Sequence, residues 1–117
     1  MARSAPVECY YNNQPSRIPI IGIQLVRATW QNTILAESDA TVIVEGNHYF
    51  PAAALKSEHF RPSETRTTCA WKGVARYYDV VVGDQVNRDA AWYYPETKPE
   101  AKHIEGRVAF WKGVSVE

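Results

Sequence analysis

The segment Val74 to Val82 is compatible with one kind of backbone. At a period of two, Val74, Arg76, Tyr78, Val80 and Val82 share one face, and Ala75, Tyr77, Asp79 and Val81 share the other. Its β-branched and aromatic residues favour the pleated conformation. Apolar groups on both faces predict a central strand covered on both sides. Nowhere does the chain carry a long stretch of apolar residues at the helical period of 3.6. Strands must therefore build the core.

Short strands and turn signals surround this segment. Leu25 to Trp30, a turn at Gln31-Asn32-Thr33, and Ile34 to Glu37 predict a hairpin, followed by a turn at Ser38-Asp39. Thr41 to Glu45 and His48 to Phe50 are strand-like, with a break at Gly46-Asn47 and a stop at Pro51. Ala52 to Leu55 predicts a helical turn. Lys56 to Phe60 predicts an extended stretch stopped by Pro62-Ser63, and Thr65 to Thr68 a polar loop. Gly83-Asp84 is a hairpin turn, Val86 opens a short returning arm, and Ala90 to Tyr94 is an aromatic strand ended by Pro95. Pro99 to His103 suits one helical turn with proline at its first position. Arg107 to Trp111 and Val114 to Val116 predict a last hairpin around Lys112-Gly113. The expected architecture is mainly β: a single compact domain, either a small barrel or two packed antiparallel sheets, with at most one or two short helical turns. Residues 1–23 read as an N-terminal extension or arm, since they show little periodicity, and 24–117 as the domain.

A length of 117 residues fits one domain. The formal net charge is zero and there is no basic stripe, which argues against a nucleic acid polymer as partner. The longest apolar run, Ile18 to Val26, is broken by Pro19, Gly22 and Gln24. It falls short of the ~20 residues that cross a bilayer. The N-terminus lacks the apolar stretch of a secretory signal. Cys9 and Cys69 do not form a disulfide framework, and free thiols in a reducing compartment are expected. Together these predict a cytoplasmic protein without membrane association.

The densest chemistry lies between Thr65 and Asp79. Cys69 has Arg66, Lys72 and Arg76 close by in sequence, and cationic neighbours favour a nucleophilic thiolate. His48 is the candidate base. The competing reading makes Cys69 a small buried hydrophobe. Lys72 beside Gly73 suits an anion, because a permissive backbone lets N–H groups and an ammonium face it together, although the P-loop spacing is missing. No Cys-x-x-Cys, His-x-His or His-Glu-x-x-His pattern occurs, and no metal site is expected. Glu45, Asp79 and Glu96 form no Asp-x-Asp pair of the kind that holds Mg²⁺. In Trp92-Tyr93-Tyr94-Pro95 the rings alternate across two faces, suited to core packing or to a flat ligand. Trp71-Lys72-Gly73-Val74 recurs as Trp111-Lys112-Gly113-Val114, which reads as two similar turns.

Six blocks occur together and in order: Leu35-Ala36-Glu37-Ser38, Val44 to Pro51, Thr67 to Ala75, Tyr77-Tyr78-Asp79-Val80, Ala90 to Pro95, and Val108-Ala109-Phe110. In these blocks the chain resembles the bacterial domain-of-unknown-function family 427, a group also labelled nucleotidyltransferase-like. The resemblance covers about residues 24–117. It implies a compact, mostly β domain in a prokaryote-type cytoplasm. It carries over onto Asn47, Tyr49, Phe50, Pro51, Cys69, Trp71, Lys72, Gly73, Tyr78, Trp92, Tyr93, Tyr94 and Pro95. The family often has proline before Trp-Lys-Gly, where this chain has Ala70.

The leading functional expectation is a small-ligand pocket lined by His48, Tyr49, Trp71, Tyr78, Trp92 and Tyr94. Lys72 and Arg76 would anchor an anionic aromatic ligand such as a nucleotide, and Cys69 and Lys72 are the candidate catalytic groups. Both the cofactor and enzymatic activity are left open. The alternatives are a nucleotidyltransferase-like enzyme, from the resemblance, and a non-enzymatic module that forms a homodimer through exposed strand edges.

Overall fold

The computed structural model describes residues 25–117. The predicted arm, 1–23, lies outside them. The first hairpin is present: β1 (Val26–Trp30) pairs with β2 (Thr33–Ser38). Gln31 and Asn32 take φ of 52° and 58°, the left-handed pair that a two-residue turn between twisted strands requires. The second hairpin, β3 (Val42–Val44) and β4 (Asn47–Tyr49), turns the same way on Glu45-Gly46.

Four strands form the main antiparallel sheet: β5 (Phe60–Cys69), β6 (Gly73–Val82), β7 (Gln85–Tyr93) and β8 (Val108–Phe110), in the order β5-β6-β7-β8. The last strand, β9 (Ser115–Val116), joins β1 to give a second sheet, β2-β1-β9. Phe50, just after β4, bridges to Val108 and ties the third sheet, β3-β4, to the edge of the main one. The fold is mainly β, and among the described residues its three antiparallel sheets do not close into a barrel. Among the described residues the helical content is three 3-10 segments, Ala52–Ala54, Ser57–His59 and Pro99–Ile104. Among the described residues no helix is long and apolar enough to cross a membrane.

Four local expectations are corrected. Thr65 to Thr68 belongs to a ten-residue strand, not a loop, and Pro62 lies inside that strand. The strand is the outermost of its sheet among the described residues, and an edge position tolerates a proline without a ladder N–H. Its hydroxyls serve the sheet: Ser63 and Thr65 donate to the two carboxylate oxygens of Asp89 at 2.6 and 2.8 Å. Lys56 to Phe60 is not extended throughout. The Lys56 N–H is held by the Leu35 carbonyl, and a 3-10 turn follows before β5 begins at Phe60. Val86 and Ala90 to Tyr94 are not separate pieces, because β7 runs continuously past a register shift. There Asp89, at φ 57°, donates its N–H to Asp79 Oδ1 at 2.9 Å. The last two strands form no hairpin. The turn at Lys112-Gly113 hands the chain from the main sheet at β8 to the smaller sheet at β9.

Two apolar clusters result. The first gathers Val26, Ala28, Leu35, Ala36, Phe50, Val80, Ala90, Ala91, Val108 and Phe110. The second holds Tyr49, Cys69, Ala75, Tyr77, Trp92, Tyr94, Ala101, Ile104 and Ala109. Strand β6 contributes to both. Ala75 and Tyr77 pack into the second cluster, while Val80, with Tyr78 beside it, packs into the first. Trp92 and Tyr49 meet edge to face at 6.1 Å, and the indole N–H donates to the Tyr49 hydroxyl at 3.2 Å.

Candidate functional site

The residues singled out between Cys69 and Arg76 part company. Cys69 closes β5, is 2 % exposed, and is disulfide-bonded. The chain's other cysteine, Cys9, lies outside the described residues. The expected free thiol is thereby corrected: a sulfur held in a disulfide has no proton to lose and is no thiolate.

Lys72 turns inward and is only 3 % exposed. Its ammonium pairs with the Glu45 carboxylate from the β3–β4 turn, which is equally sequestered. The Trp71 and Tyr94 rings lie 5.3 and 5.7 Å from Nζ, so the charge sits among aromatic faces. Two charges leave water at a large cost that only close pairing offsets. The pairing is incomplete on the acid side, where Glu45 Oε2 is buried without a hydrogen-bond partner. Lys112, in the repeated tetrapeptide, also lies 5.3 Å from its tryptophan ring, but it is exposed and donates to the Arg88 carbonyl. The repeat marks two turns with opposite fates.

The other predicted site residues are mostly part of the interior. Tyr49, Trp92 and Tyr94 are buried, and burial raises the hydroxyl pKa of both tyrosines above the usual 10. Trp71 is half-buried against the second cluster. Tyr78 stacks on Tyr93, with ring centroids 4.9 Å apart. His48 is half-buried, with Nδ1 2.8 Å from the Thr41 hydroxyl, and desolvation holds its pKa below the usual 6.5. His48, Tyr49, Trp71, Tyr78, Trp92 and Tyr94 do not line the open cavity described next.

Arg76 is placed differently. It projects from the β6 face opposite Ala75 and Tyr77 and is exposed. The first apolar cluster covers this face from Tyr78 onward and leaves Val74 and Arg76 bare. A groove of about 630 Å³ opens there. In the ladder Arg66 of β5 is directly opposite Arg76, and Tyr93 of β7 is opposite it on the other side. These three residues and Val74 form the floor, and the segment 95–98 forms a wall carrying Glu96, Thr97 and Lys98.

Gly73 lets that wall approach. At φ 131° it adopts a backbone unfavourable for other residues, and a Cβ there would lie 2.8 Å from the Glu96 carbonyl oxygen. Gly73 also bridges to Thr97, and the Lys98 N–H donates to the Lys72 carbonyl at 3.1 Å. From the far side Glu105 accepts the Thr97 N–H. The groove is therefore built on the backbone of the Trp-Lys-Gly turn, while the lysine side chain faces away into the core.

Arg66, Arg76 and Lys98 enter no salt bridge among the described residues. Two guanidinium groups directly opposite each other repel. Sequence reasoning identified Arg76 as a binding residue but not Arg66, Tyr93 or Lys98 as its companions. Strand register makes the first two its neighbours, and the Gly73 contact brings up the third. Among the described residues no three His, Cys, Asp or Glu side chains gather closely enough to hold a metal ion.

Residues 23–117 match the family model described as "Domain of unknown function (DUF427)". No curated protein matches the chain. The chain belongs to this domain-of-unknown-function family, as the six colinear sequence blocks indicated.

Proposed function

We propose that this domain binds a small anionic ligand carrying a flat ring, and that the groove over Arg76 is where it binds. The observation that carries this reading is the unneutralised set of Arg66, Arg76 and Lys98 around one open cavity. Like charges placed side by side cost stability unless something of opposite sign joins them. Arginine forks suit oxyanions, since two parallel N–H groups match two oxygens. Val74, Tyr93 and Pro95 add apolar surface beside the cations, which suits a ring attached to the anionic group. A nucleotide combines the two features. The binding role first assigned to Lys72 passes to Lys98, because the Lys72 ammonium is engaged with Glu45.

The test is equilibrium binding of nucleotides and aromatic carboxylates, followed by calorimetry and thermal shift, on the natural chain and on Arg76→Ala. Stabilisation by at least one such ligand, weakened ten-fold or more in Arg76→Ala, is the expected result. Absence of binding by every ligand in the series, or binding unaffected by Arg76→Ala, overturns the reading.

A further inference from the structure

We infer that the anionic group this groove takes is a dianion of the phosphomonoester type, in preference to a carboxylate or a phosphodiester. The inference rests on the anion-binding reading above and refines its chemistry. Three cationic residues and one acidic residue, Glu96, line the cavity, a formal excess of two positive charges. A monoanion neutralises half of that excess, whereas a terminal phosphate carries close to two negative charges at neutral pH. Geometry agrees with the charge balance. Arg66 and Arg76 approach from adjacent strands at the same ladder position, and Lys98 approaches from the wall. Donors from separate directions match three terminal oxygens spread around phosphorus better than two coplanar carboxylate oxygens. A diester has only two unsubstituted oxygens and a single charge.

The groove also isolates the ligand's own titration. The ionisable groups facing it are Arg66 from β5, Arg76 from β6, Tyr93 from β7, and Glu96 and Lys98 from the wall. No histidine is among them. A change of affinity between pH 7.5 and pH 5 in the dianion alone therefore reports the second phosphate proton, which is taken up near pH 6.

The experiment is isothermal titration of the full chain with four probes: phenyl phosphate, methyl phenyl phosphate, benzoate and inorganic phosphate. At pH 7.5 phenyl phosphate is expected to bind at least ten-fold more tightly than the monoanionic diester and benzoate. Inorganic phosphate is expected to bind more weakly than phenyl phosphate, because it lacks the ring. At pH 5 the phenyl phosphate affinity is expected to fall about ten-fold, following the dianion fraction, while benzoate changes little. Arg66→Ala and Arg76→Ala are each expected to narrow the gap between monoester and diester. Both side chains are exposed, so the variants keep the fold. Equal affinity for monoester, diester and benzoate overturns the dianion inference and leaves the anion site standing. Preference for the monoester that survives both arginine substitutions also overturns it, by placing the phosphate elsewhere. Failure of every probe to bind removes the anion site itself.

Discussion

Removing the ammonium of Lys72 leaves the buried Glu45 carboxylate without a counter-ion. Breaking one side of such a pair characteristically costs about 3–5 kcal/mol. Lys72→Met is accordingly expected to lower unfolding free energy by about that amount in urea denaturation. Adding Glu45→Gln should recover part of the loss, because the orphaned charge goes with it. A Lys72→Met variant as stable as the natural chain would contradict the buried pairing. Arg76 is the opposite case: it is exposed and unpaired, and Arg76→Ala should shift stability by no more than about 0.5 kcal/mol. The two cations four residues apart were both candidate anion ligands from sequence. Their separation depends on facts that one-dimensional spacing does not carry. Lys72 sits in a turn whose side chain finds a carboxylate twenty-seven residues earlier in the chain, and Arg76 sits on the strand face that the first core leaves uncovered.

The wall at 95–98 and the strand β6 meet at one hydrogen-bonded crossing, Gly73 against Thr97. Gly73→Ala would place a methyl 2.8 Å from the Glu96 carbonyl and force a left-handed φ on alanine. It is expected to destabilise by about 1–3 kcal/mol and to weaken ligand binding, which denaturation and calorimetry on the same sample would resolve. Unchanged affinity in a folded Gly73→Ala protein would mean that the wall does not shape the site. Legibility differed among the elements for physical reasons. Strand β6 was readable because both of its faces are apolar. The hairpin at Gln31-Asn32 was readable from turn chemistry, whereas the second was read only as a break at Gly46-Asn47, one residue later than its turn at Glu45-Gly46. Strand β5 was hidden, because its exposed edge is polar and its hydroxyls at Ser63 and Thr65 imitate a loop while capping Asp89. The continuity of β7 was hidden by Asp89, whose bulge depends on a hydrogen bond from the neighbouring strand.

The molecule buries the phenols of Tyr49, Tyr77 and Tyr94 in the cluster on one side of the main sheet and shows Arg66 and Arg76 on the other. Burial pushes the Tyr77 hydroxyl up to about 12, against a hydrogen bond with Thr67 that pulls the other way, and raises Tyr49 and Tyr94 as well. A raised phenol pKa means that the folded chain holds its protons more firmly than the unfolded chain does. That contribution is complete below pH 10 and is lost as pH rises from there toward about 12. Tyrosinate absorbance and near-ultraviolet circular dichroism followed together should show these rings ionising as tertiary structure disappears. Ionisation of all seven tyrosines near pH 10 in a still folded chain would contradict their burial. Strand periodicity told which residues share a face of β6. It did not tell how far along that face the covering core extends, and the groove exists because the cover ends between Tyr78 and Arg76. Amide NMR of the isotopically labelled chain, titrated with phenyl phosphate to saturation, examines that groove residue by residue. Shifts concentrated at Arg66, Val74, Arg76, Tyr93 and Lys98 are predicted. Shifts centred instead on Lys72, Tyr49 and Tyr94, or none at saturating ligand, would contradict a binding site on the open face.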